Sequence, residues 1–110
     1  MTHPRKSLDT LIHAPVRFSI AAVLAAVDEA DFETLRDTIE ITDSALSKQI
    51  ALLEQAGYVK VRKAFVGKRA RTWLSLTGKG RVAFTHHLAA LRDIAGWEPG
   101  QADERGDSAT

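Results

Sequence analysis

Residues 55–92 carry nine cations and no acid: Lys60, Arg62, Lys63, Lys68, Arg69, Arg71, Lys79, Arg81 and Arg92. The stretch just before them, Asp28 to Glu54, holds eight acids against Arg36 and Lys48. The formal net charge of +1 hides this separation. A one-sided positive field concentrates polyanions, and the commonest polyanion in a cell is nucleic acid. A second group could recognise such a polymer. Thr42, Ser44, Ala45 and Ser47 are small, and they are followed by Lys48 and Gln49. Small residues let a backbone approach a surface closely, and Lys and Gln reach phosphates and base edges.

Other chemistries find little footing. With no cysteine in 110 residues, disulfides and thiolate metal sites are excluded, and a reducing compartment is compatible. His86 and His87 are adjacent, so on a helix they point about 100° apart and cannot readily chelate one ion. Gly78–Lys79–Gly80 lacks the spacing of a phosphate-binding loop. No nucleophile is paired with a base, and no carboxylate pair sits in an obvious cleft. The chain is therefore expected not to be an enzyme, and to carry no catalytic residue, cofactor or metal. Met1–Lys6 followed by apolar Phe18–Val27 has the outline of a secretory leader, but Asp9 and Arg17 interrupt it. With no apolar run of about 18 residues, a cytoplasmic protein without a membrane span is expected.

The elements that must position these groups follow from periodicity. The 45% hydrophobic content suits one globular domain. Leu8, Leu11 and Ile12 suggest a short helical segment. Pro15 suits the first turn of a helix, where its missing N–H costs nothing, and Val16, Ile20, Val23, Leu24 and Val27 give that helix an apolar stripe. Phe32, Leu35 and Ile39 mark a short second helix, and 40–42 a turn. Thr42 can cap a third helix, with Asp43 in its first turn, Leu46, Ile50 and Leu53 buried and Gly57 closing it. Val59 and Val61 alternate with Lys60 and Arg62, and Leu74 and Leu76 with Trp73 and Ser75. These read as two strands joined through the basic loop 66–70. Thr77 caps a last helix bearing Phe84, Leu88, Leu91 and Ala95.

Two short helices joined by a tight turn form a helix-turn-helix, whose second helix fits a major groove about 12 Å wide. The hairpin then holds Lys68, Arg69 and Arg71 beside that groove, where phosphates and a narrow minor groove attract them.

From Leu8 to Trp97 the sequence resembles the winged-helix transcription regulators of the broad MarR/ArsR-like group. It is most similar there to the short single-domain "winged helix DNA-binding domain" regulators of bacteria and archaea. The residues carrying the likeness are Leu11–Arg17, Thr42–Lys48, Leu53–Val59 and Leu76–Arg81. The resemblance implies Ser44, Ala45, Ser47 and Lys48 on a recognition helix and Lys68, Arg69 and Arg71 on a wing. One departure stands out. Many MarR-type wings place an Asp ahead of the wing arginine to fix its side chain, whereas Gly67 and Lys68 precede Arg69 here.

The expectations are therefore specific. The fold is mainly α with a small β-hairpin, a winged helix-turn-helix over 8–97, between a flexible 1–7 and a disordered acidic tail, 98–110. Double-stranded DNA is the partner, with the recognition helix 42–57 in the major groove and the wing 66–71 on adjacent backbone or minor groove. Contacts are expected from Thr42, Ser44, Ala45, Ser47, Lys48, Gln49, Lys63, Lys68, Arg69 and Arg71. The N- and C-terminal helices would pair two copies into a homodimer. The alternatives are a protein-interaction module built on the same fold, or a sensor of the MarR type responding to an unknown small-molecule effector.

Overall fold

The computed structural model describes residues 2–98. A 3-10 turn, Pro4–Ser7, leads into α1 (Thr10–His13), α2 (Pro15–Ala25), β1 (Ala30–Asp31), α3 (Phe32–Ile39), α4 (Asp43–Gln55), β2 (Val59–Val66), β3 (Arg69–Leu76) and α5 (Gly78–Ala95). Residues 1–7, expected to be flexible, thus include a turn. His3 Nδ1 accepts from the Arg5 N–H at its start, and the His3 ring lies 4.8 Å from that of Trp97. The expected tail lies outside the described residues beyond Glu98. None of the described helices is long and apolar enough to cross a membrane.

The helices begin and end where side chains can satisfy their free backbone groups. Pro15 opens α2. Thr42 Oγ1 accepts from the Ala45 N–H and starts α4. At the far end Gly57 takes φ +80, so the Tyr58 N–H reaches the Leu53 carbonyl and the Gly57 N–H that of Glu54. Thr77 caps α5 through the Gly80 N–H.

One apolar core joins these elements. Ile20 and Leu24 of α2, Leu35 of α3, Leu46, Ile50 and Leu53 of α4, and Val59, Leu74 and Leu76 of the sheet are buried together. A second cluster, Ile12, Ala21 and Phe84, seats α5 on α1 and α2. Phe84 of the stripe expected to pair two copies therefore packs inside its own domain.

The sheet has three strands, in the order β1-β3-β2, all antiparallel. β1 was not legible in the acidic run 28–31. It is two residues long, and Ala30 opposite Leu74 is its one core-facing contribution. The hairpin strands also run further than the apolar alternation implied. Val66 pairs with Arg69, so the turn contains only Gly67 and Lys68. Gly67 has φ +66, the left-handed conformation needed at the first position of a two-residue II′ turn. That turn keeps the ladder in register to its tip.

Candidate nucleic-acid interface

From its second turn onward, α4 faces the hairpin on one side of the molecule. With Leu46, Ile50 and Leu53 turned inward, Ser47, Ala51 and Glu54 face the hairpin across a groove of roughly 470 Å³. Val61, Lys63, Thr72 and Leu74 form its other wall. Ser44 and Lys48, one helical turn apart, are exposed beside Ser47 on the same outward surface.

Strand alternation divides the wing cations. Lys63 lies opposite Thr72, on the face turned toward α4. Arg69, Arg71 and Trp73 alternate with the groove-lining Thr72 and Leu74, so they project from the other face. There the guanidinium carbons of Arg62 and Arg71 lie 5.7 and 6.0 Å from the Trp73 ring centre. Arg62 also donates through Nε and Nη2 to the Glu29 carboxylate, at 3.0 and 2.8 Å. That bidentate pair holds the Glu29 pKa below its ordinary value. Arg62 is therefore neutralised locally.

The helix-turn-helix is braced by Arg36. Its Nη1 donates to Asp43 at 2.7 Å and its Nε to Asp37 at 2.9 Å, tying the end of α3 to the start of α4. Both carboxylates raise the Arg36 pKa above its ordinary value. Glu40, in the turn between the helices, is left-handed at φ 57.

Seven of the ten candidate residues are exposed: Thr42, Ser44, Ser47, Lys48, Lys63, Lys68 and Arg69. Ala45, Gln49 and Arg71 are half-buried. Gln49 departs from expectation. Its Oε1 accepts from Arg17 Nη1 at 2.7 Å, while Arg17 Nε donates to the Leu11 carbonyl. The helix is rotated so that Gln49 faces α2, and a bidentate contact to adenine would first have to break this bond. Arg17 is thus a positioning residue that the sequence did not single out. Six and 32 positions separate it from its partners, so no local pattern marked it.

The missing acid ahead of Arg69 is partly replaced from another element. Glu33 at the start of α3 lies 3.7 Å from Arg69 Nη2, with both side chains largely exposed. At that distance and exposure the pair orients Arg69 weakly and adds little stability.

A polar joint lies at α5, away from this surface. His87 is 1% exposed. Its Nδ1 accepts from the Asp9 N–H at 3.0 Å, so the neutral ring carries its proton on Nε2 and donates to His13 Nδ1 at 3.3 Å. Asp9 also caps α1 and accepts from the Tyr58 hydroxyl at 2.6 Å, which pushes the tyrosine pKa up to about 12. His86, by contrast, is exposed.

Residues 16–95 match the family model described as "Winged helix DNA-binding domain". An uncharacterized protein of Methanocaldococcus jannaschii is 31% identical over 85 residues, covering 77% of this chain and 92% of that protein. A transcriptional regulator homologue from Pyrococcus horikoshii superposes with a TM-score of 0.79 at 25% identity, covering 86% of this chain and 95% of that one. Overoxidized AbfR, solved bound to DNA, gives a TM-score of 0.65 at 17% identity, with 96% of this chain and 74% of that one covered. At that identity the likeness is one of fold.

Proposed function

The chain belongs to the winged helix DNA-binding domain family, and from that premise we propose how it grips a duplex. It is a DNA-binding transcriptional regulator. The first two turns of α4 enter the major groove, with Ser44, Ser47 and Lys48 toward base edges and Thr42 at the flanking phosphates. The hairpin lies on the adjacent backbone and minor groove. Cations on both of its faces suit that seat, because a minor groove has a phosphate backbone on each side. Lys63 serves one backbone, Arg69 and Arg71 the other, and Lys68 sits at the tip. Ala45 lies behind the contact surface, where its lack of bulk permits close approach. The observation carrying this reading is that Ser47 of α4 and Lys63 of the hairpin line one groove.

Two copies acting together would present two recognition helices to half-sites about 34 Å apart. We assign the pairing surface to the N-terminal segment and α5. Leu8, Leu11, Leu88, Leu91 and Ile94 are only half-buried in a single copy, which supports this choice.

Gel shifts on a pool of random-sequence duplexes, followed by sequencing of the bound fraction, test the reading. Arg69→Ala should weaken binding to all sequences alike, whereas Lys48→Ala should change which sequences are selected. If neither variant alters retention or selection, the assignment of α4 and the wing is wrong.

A further inference from the structure

We propose that Phe65 is an apolar wedge that enters the minor groove and parts one base step, so that the wing deforms the duplex as well as holding its phosphates. The wedge rests on the DNA-binding reading above and adds the means of distortion.

Phe65 is 76% exposed, and its neighbour Val66 is 55% exposed. They are consecutive at the end of the ribbon, one on each face, immediately before the two-residue turn. Phe65 lies opposite Ala70, a methyl group that cannot cover a phenyl ring. Leaving two large apolar side chains in water at a protruding tip is unfavourable, and Lys or Thr would serve a phosphate-holding hairpin better.

The surroundings select the occupant. Lys63 lies two residues before Phe65 on the same strand face, Lys68 is in the turn, Arg69 is opposite Val66 and Arg71 is opposite Ala64. An apolar tip ringed by cations repels a second copy of itself and attracts a polyanion. Within a duplex, the apolar space such a tip can enter lies between stacked bases, reached through the minor groove. Phe, Leu and Ile side chains part base steps in this way and kink or unwind the helix. The ladder continues to Val66–Arg69 and Gly67 supplies the tight turn, so the ring is carried on a hydrogen-bonded ribbon.

Plasmid relaxation tests this without knowledge of an operator. A closed circular plasmid is relaxed by topoisomerase I in the presence of the wild-type protein, Phe65→Ala or Phe65→Tyr, each at the concentration that binds the same fraction of plasmid in a gel shift. After deproteinisation, wild type and Phe65→Tyr should leave a topoisomer distribution shifted to negative supercoiling, and Phe65→Ala a distribution matching the protein-free control. An equal shift from wild type and Phe65→Ala, or no shift from wild type at full occupancy, overturns the wedge and leaves DNA binding standing. Failure of wild type to bind plasmid at low salt overturns both. Light scattering in which wild type self-associates and Phe65→Ala does not would assign the tip to a second copy and overturn the wedge as well.

Discussion

Lys48 and Gln49 are neighbours in sequence with different work. Lys48 is exposed on the outward face of α4, while Gln49 is bonded to Arg17 on α2. Gln49→Ala should therefore lower stability by about 1.5–3 kcal/mol, the net worth of one hydrogen bond to a charged group. It should leave the selected DNA sequences unchanged. A denaturation midpoint equal to wild type together with a changed selection would reverse these roles. His87 offers a second case. Burial, and to a lesser extent the nearby His13, lower its pKa from the ordinary value, while Asp9 opposes them. Tyr58 stands behind Asp9, and Lys79 and His86 line the same cleft. Because the folded pKa is depressed, the unfolded chain binds the extra proton first. Stability should hold above about pH 6.5, fall as pH drops through that value, and level off below the folded pKa. Protonation would also set an Nδ1–H against the Asp9 N–H. Thermal melts across this range should show the decline in wild type and a flatter profile in His87→Gln. Parallel profiles would remove His87 from the account.

At the scale of elements, two backbone positions carry sharp expectations. Glu40 holds a left-handed conformation in the turn between α3 and α4, where a side chain costs about 1–2 kcal/mol and glycine costs nothing. Glycine's larger unfolded entropy offsets part of that gain. Glu40→Gly should raise stability by up to about 1 kcal/mol, read as a higher denaturation midpoint. Gly80 is constrained in the opposite sense, because a Cβ there would lie 2.2 Å from the Tyr58 carbonyl oxygen. Gly80→Ala should cost about 1–3 kcal/mol by overpacking against rigid backbone. A neutral result would show that α5 can slide away from the end of α4. The helices were legible in the sequence because Leu46–Ile50–Leu53 repeats at helical spacing and Thr42 and Gly57 have the right chemistry for its ends. β1 was not, since two residues cannot display a period. The outer part of the hairpin was missed because Lys63 and Val66 break the apolar alternation while the ladder continues beneath them. Its cause is a turn geometry that only Gly67 hinted at.

For the whole molecule, charge separation was the most legible feature, and the hairpin distributes its cations over both faces. Arg17–Gln49, Arg36–Asp43 and Arg69–Glu33 were hidden because each joins positions that only the fold brings together. If phosphates supply most of the affinity, a dimer making 6–10 such contacts should lose on the order of 10³–10⁵ in binding between 50 and 200 mM salt. A flat dependence in a fluorescence titration would remove the electrostatic account. The same dimer should be visible by light scattering at micromolar concentration, and a monomer there would remove the pairing surface assigned to α5. Lys79 Nζ donates to the Ala56 carbonyl and Thr77 Oγ1 to that of Gly57, while Gly80 seats the first turn of α5 against Tyr58. The rear of α4, the proposed recognition helix, is thereby bolted to the front of α5. Tilting α5, by whatever agency, would swing α4 like a rudder on a fixed tiller, and the angle at which it meets a duplex would change with no residue of α4 touched.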